Sequence, residues 1–283
     1  MIWKVGKVKI TKIVELETTG STRFILPLAS NEEIRKSPWL IPHFATEEGR
    51  LKMSIHSLVV ETPTRRIVVD TGLGNDKQGR NVPTWNNRKT PFLDTMHEAG
   101  FAPDSIDTVI CTHLHVDHVG WNTQLVGGQW VPTFAKARYV FGKTEFDHWS
   151  KENAKAEVAP FVDSVLPVVE AKRAEIVTND YSVGDHIRIL PTPGHTPGHV
   201  AFTLGRTKDE AVFAGDLIHT PLQLRYPELS PKFDIDPKQA ATTRRSFLER
   251  YCDTDTLCCT AHFPSPSAGK IRRRGNGFVC EAA

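Results

Sequence analysis

The stretch ICTHLHVDHVG, residues 110–120, places three histidines and one aspartate within six positions, directly behind an apolar run. A quarter of the chain's twelve histidines sit there. On one helix, His113 and His118 would point to different faces, whereas helical metal-binding pairs use the spacing i, i+4. The run instead follows the strand-like DTVIC. Alternate residues of a strand share a face, so His113 and His115 are expected on one side of a strand-to-loop junction. The next turn brings Asp117 and His118 round to a second point. That geometry suits two neighbouring metal ions better than one.

A metal ion needs more donors than this segment supplies. Three further ligand-type residues end strand-like runs among small or turn residues. They are His195 in PTPGHTPGH, Asp216 in VFAGDLIH and His262 in CCTAHFP. The candidate ligand set is therefore His113, His115, Asp117, His118, His195, Asp216 and His262. Five imidazoles and two carboxylates suit Zn²⁺ first, with Fe, Mn or Co as alternatives. His56 and His199 lie in strand-like runs and are read as structural.

Composition narrows the class. The chain has 283 residues, 39% hydrophobic and 24% charged, with a formal net charge of +2. This is ordinary globular composition, without the charge excess expected of a nucleic-acid or membrane-surface binder. Five cysteines, an odd number with no paired framework, favour a reducing compartment. No stretch approaches the roughly 18 apolar residues of a membrane span. The opening MIWKVGKVKITK offers no continuous apolar region for a leader. A cytoplasmic protein is the expectation.

The expected elements alternate strands with few helices. VGKVKITKIVE reads as a strand with one wet face, and SIHSLVVE with RRIVVD as a hairpin turning near Pro63. TPFLDTMHEAGF and PKQAATTRRSFLERY read as helices, the first stopped by Gly100, the second started by Asp236 and Pro237. ARYVF, HIRIL, HVAFTL, EAVFAG and TLCCTAHF are further strands. Residues 17–50 show no period and read as a long ordered loop, a lid or dimerisation arm on one domain spanning 1–283. A homodimer is one arrangement such an arm would suit.

THLHVDH, PGHTPGH, AGD and AHF, in that order, resemble the metal-ligand motifs of the metallo-β-lactamase fold superfamily. The intervals of 77, 21 and 46 residues between His118, His195, Asp216 and His262 suit that fold. VVDTG resembles the family's second-strand motif, with Asp70 as a buried carboxylate behind the ligands. GDLIHTPLQL and the C-terminal AHFPSPSAGKIRRRGNGFVC are most similar to the methyl parathion hydrolase branch. The N-acyl homoserine lactonases are more distant relatives. The resemblance implies an αβ/βα four-layer sandwich, with two mixed sheets and helices outside. It also implies one ion held by His113, His115 and His195, and another by Asp117, His118 and His262. Asp216 and a hydroxide would lie between them.

Two departures bear on activity. Many true β-lactamases carry cysteine where this chain has Asp216, and the lactonases carry tyrosine where it has His219. Asp117 and His219 are the candidate catalytic residues. Trp121 and Trp149 are the candidate pocket residues, with Phe146 read as core. The resemblance implies a metal-dependent hydrolase that opens small-molecule lactones or cleaves carboxylic esters. Phosphotriester hydrolysis and, more remotely, iron-dependent redox chemistry on the same fold are the alternatives. The arginines at 272–274 read as a solvated strand face.

Overall fold

The computed structural model describes residues 1–20 and 25–282. It divides into two compact units, Met1–Glu15 with Ile55–Asn179, and Leu16–Ser54 with Asp180–Ala283. The chain is of the α/β class, with two mixed seven-stranded sheets and helices, as the sequence leads one to expect.

The first sheet runs in the order β1 (Ile2–Val5), β2 (Val8–Gly20), β3 (Leu51–Glu61), β4 (Arg66–Val69), β5 (Thr108–Ile110), β8 (Arg138–Gly142) and β9 (Ala174–Val177). A separate hairpin joins β6 (Thr123–Val126) to β7 (Gln129–Pro132). The expected hairpin of β3 and β4 is present, with Leu58 opposite Val69 and Glu61 opposite Arg66. Its turn is closed by the Thr62 hydroxyl, which accepts from the Arg65 amide at 2.9 Å. Strands β4, β5, β8 and β9 are parallel. Val68, Val69, Val109, Ile110, Val140 and Phe141 are all buried, the near-continuous apolar pattern of strands covered on both faces. Burial of a side chain such as Phe134 or Phe141 contributes on the order of 2–3 kcal/mol. In register, Val69 lies beside Ile110, so the residues that follow both strands emerge at one sheet edge. Those residues are Asp70 and the segment beginning at Cys111.

The second sheet runs β10 (Ser182–Val183), β11 (Ile187–Pro191), β12 (Val200–Leu204), β13 (Ala211–Phe213), β14 (Leu257–Cys259), β15 (Ala268–Arg274) and β16 (Gly277–Ala282). Among the described residues of this sheet only β13 and β14 pair in parallel, with Phe213 beside Cys259. Asp216 and His262 therefore leave the sheet at the same end. The arginines at 272–274 lie on β15, as expected, and Arg273 pairs with Glu249.

The arm at residues 17–50 carries regular structure that its lack of period did not announce; residues 21–24 lie outside the described residues. β2 continues to Gly20, and α1 (Asn31–Arg35) follows. A capping box starts this helix: the Glu33 amide donates to the Ser30 hydroxyl, and the Ser30 amide to the Glu33 carboxylate. Ile25, Leu26, Ile34, Leu40 and Leu51 bury themselves with Leu222 in the second unit. The serine–x–x–glutamate signal was there to be read in the sequence.

Candidate metal centre

In the first unit, the chain leaves β5 and passes through Thr112 to His113, then forms one helical turn, α2 (Val116–Val119), with His115 at its N-cap. The His113 ring lies between those of His115, at 4.6 Å, and His118, at 4.2 Å. Asp117 and His118 come from the same turn, with the Asp117 carboxylate 3.8 Å from His118 Nε2. The sequence motif thus folds into one local cluster.

That cluster is braced from behind. Asp70 turns at the end of β4 in the left-handed region (φ 54°), which aspartate tolerates. Its carboxylate accepts from the Thr112 amide at 2.8 Å, the Thr112 hydroxyl at 2.9 Å and His118 Nδ1 at 2.9 Å. With the proton of His118 on Nδ1, Nε2 presents a lone pair. The segment after β4 also clasps the ligand turn: Thr71 donates its amide to His118, and Gly120 donates to Gly72. A side chain at Gly120 would collide with the Leu73 backbone, its Cβ 1.9 Å from the carbonyl carbon.

Glu145 is a support the sequence did not reveal. It is buried in α3 (Lys143–Lys155), and its Oε1 accepts from the Leu114 amide at 3.0 Å and the Trp149 indole at 2.6 Å. It thereby anchors the backbone between His113 and His115, and it orients Trp149, whose ring meets His115 edge-on at 5.5 Å. Trp149 stays half-buried beside the cluster. Trp121 does not. It is buried in the core, stacked on Phe92 at 5.5 Å, with its indole donating to Glu15. The expectation that Trp121 lines a pocket is corrected: its apolar face is used in packing and its one donor is satisfied. Phe146 packs on Phe161, as expected of a core residue.

In the second unit, three imidazoles converge on one carboxylate. Asp216 Oδ1 lies 2.8 Å from His262 Nε2, and Oδ2 lies 3.1 Å from His219 Nε2 and 3.3 Å from His195 Nε2. The distant side of two rings is anchored. His262 Nδ1 donates to the Ser54 carbonyl at 3.1 Å, and His195 Nδ1 to Asp234 at 2.8 Å. His199 also contributes: its Nε2 accepts the Asp216 amide at 3.0 Å, so its proton sits on Nδ1, facing Thr192. Gly194 allows the His195 turn to lie against α4 (Pro237–Tyr251), where a Cβ would come within 2.3 Å of the Ala240 nitrogen.

This donor chemistry fits a cation. With Nδ1–H committed to Ser54 and Asp234, the Nε2 lone pairs of His262 and His195 face carboxylate oxygens, and like partial charges repel unless something positive lies among them. Asp216, His219 and His262 each offer a ligand atom within 4.8 Å of the others. Without a metal, a proton takes that part. Burial lowers the pKa of His195, but its hydrogen bonds to Asp216 and Asp234 outweigh burial and raise it to about 9. Burial lowers the pKa of His219, only partly opposed by Asp216, so this imidazole is neutral at neutral pH.

Comparison with known proteins follows the same line. Residues 52–262 match the family described as Metallo-beta-lactamase superfamily, and the chain belongs to that superfamily. It is 26% identical over 161 residues to the N-acyl homoserine lactonase AiiA of Bacillus thuringiensis subsp. kurstaki, a match over 53% of this chain and 57% of that protein. The chain thus spans little more than half the length of that relative. Two solved structures superpose over 100% of this chain. One is the hydrolase AbOPH of the beta lactamase superfamily, with a TM-score of 0.84, 23% identity and 96% of its chain covered. The other is AidC, a dizinc quorum-quenching lactonase, with 0.78, 22% and 97%. At these identities the likeness shows the fold.

Proposed function

We propose that this protein is a metal-dependent hydrolase that opens lactones or cleaves carboxylic esters, with an N-acyl homoserine lactone as the first substrate to try. The convergence of three imidazole nitrogens on Asp216 carries the reading, in a chain whose superfamily includes named lactonases. Two divalent ions, zinc first, would draw on the donors His113, His115, Asp117 and His118 of the first unit and His195, Asp216 and His262 of the second. When bound, such ions supply Lewis acidity toward a carbonyl oxygen and a water acidic enough to act as nucleophile near neutral pH.

The chain's own residues do the rest. Asp70 and Asp234 keep the protons of His118 and His195 on Nδ1, leaving Nε2 as the donor atom. Trp149 offers an apolar wall beside His115 for an acyl chain. His219, buried and neutral, lies 3.1 Å from Asp216 through Nε2 and is the group we assign to donate a hydrogen bond to the substrate's developing oxyanion. Asp117 acts by holding and orienting beside His118.

The test is proton release by zinc-loaded protein on equal concentrations of an acyl homoserine lactone, an aromatic lactone, an aryl ester and an aryl phosphotriester. Lactone or ester turnover well above the phosphotriester supports the reading. A dominant phosphotriester rate replaces it, and silence across the panel from protein holding two metal ions overturns it.

A further inference from the structure

We infer that Arg244 and Asp234 form a positioning pair for His195, acting on the metal site through the imidazole's Nδ1. The inference rests on the reading of His195 as a metal ligand. Arg244 is fully buried on α4, as few arginines are without a specific task. Its guanidinium is held in place by three backbone carbonyls: Nε donates to Leu217 at 2.6 Å, and one terminal nitrogen to Pro227 at 2.7 Å and Leu229 at 2.8 Å. The other terminal nitrogen faces Asp234 Oδ2 at 3.4 Å. Asp234 Oδ1 takes the Nδ1 proton of His195 at 2.8 Å, and Nε2 of the same ring faces Asp216. The line therefore runs from a fixed cation, through a buried carboxylate, to one face of the imidazole, with the opposite face turned to the candidate metal ligands.

Chemistry gives this line a direction. Arg244 has only donors, so the Asp234 oxygen it faces must accept, which turns the second oxygen of the same carboxylate toward His195 Nδ1 as an acceptor. That sets the tautomer in which Nε2 is bare. The same logic makes Asp234→Asn informative. Beside Arg244 the amide turns its oxygen to the guanidinium and its NH₂ to His195. Nδ1 must then accept, the proton moves to Nε2, and that nitrogen no longer offers a lone pair.

The experiment measures zinc affinity by competition with a chromophoric chelator, together with the zinc-induced rise in Tm, for the full chain and for Asp234→Asn, Arg244→Lys, Arg244→Gln and the double variant Asp234→Asn/Arg244→Lys. Arg245→Gln, on the exposed side of the same helix, is the control and keeps the unaltered affinity. We expect Asp234→Asn to weaken zinc binding about 10–100-fold, the usual cost of losing such a partner. Arg244→Lys weakens it less than Arg244→Gln, because it retains the charge. Arg244→Lys has no added effect in the Asp234→Asn background, since both act along one route. A merely structural arginine would lower Tm equally with and without zinc and would add to Asp234→Asn. Folded Asp234→Asn with zinc affinity within about twofold of the unaltered chain overturns the inference, as does full additivity. If Arg244→Gln does not fold, the Asp234→Asn and Arg244→Lys pair decides. Unaltered protein that takes up no zinc would overturn the proposed function and this inference together, whereas normal uptake with an indifferent Asp234→Asn overturns only the positioning pair.

Discussion

Replacing Lys77 with methionine removes an ammonium enclosed in the first unit. Lys77 is fully buried; its Nζ donates to the Thr123 hydroxyl at 2.6 Å and the Asp163 carbonyl at 3.1 Å, and lies 3.6 Å from the centre of the Trp130 ring. The Asp163 carboxylate, 3.6 Å away, is already claimed at 2.9 Å by both terminal nitrogens of Arg80. Little attraction is left to offset burial, which lowers the pKa of Lys77 from 10.5 to about 7. The folded protein thus binds fewer protons here than the unfolded chain between about pH 7 and 10.5. Stability contributed by this group must rise with pH across that window, and below it the full penalty of the buried charge remains. Integrated from about pH 7 to about pH 9, the gain is about 2 kcal/mol. Urea unfolding at both pH values, for the unaltered chain and for Lys77→Met in one metal state, isolates the term. The variant should gain about 2 kcal/mol less than the unaltered chain over that interval. Equal pH slopes in the two proteins would refute the argument, and a smaller gain in the unaltered chain would reverse its sign.

Other outcomes follow from the supports of the ligand cluster. Asp70→Asn keeps its oxygen on the obligate Thr112 amide donor and turns an NH₂ toward His118, so zinc affinity by chelator competition should fall about 10–100-fold while the protein stays folded. Glu145→Ala leaves the Leu114 amide and the Trp149 indole without their acceptor, a loss of about 2–5 kcal/mol in urea unfolding, whereas Glu145→Gln retains an oxygen for both and should cost much less. On the proposed function, Trp149→Ala should raise KM more for long-chain than for short-chain acyl lactones in steady-state assays, because it removes apolar surface beside His115 and leaves the candidate ligands in place. Removal of bound metal by a chelator should abolish hydrolysis and lower Tm, and zinc should restore both.

Much of the site was legible because ligand chemistry is local. An imidazole or a carboxylate at a strand end declares its donor atom whatever surrounds it, and His113, His115, Asp117 and His118 lie close together in the chain. The strand runs around them were equally plain, since apolar segments such as TVIC and VFAG leave few alternatives to burial. The order within the arm at 17–50 comes from a capping box and from apolar residues spaced irregularly, neither of which leaves a period. Trp121 was misplaced because a large aromatic beside a ligand motif looks the same in sequence whether it faces a substrate or Phe92.

What the amino-acid order determined by itself was therefore the inventory: which side chains can bind a metal, and which segments must be strands. Tertiary structure alone decided the partners. Asp70 meets His118 across 48 residues, and Asp234 meets His195 across 39, distances in sequence over which no pattern constrains a side chain. Which nitrogen of each ring carries the proton, whether Lys77 holds its own and which tryptophan stays near the histidine cluster all depend on burial and on hydrogen-bond geometry, and those exist only once the strands of each sheet have brought distant loops together.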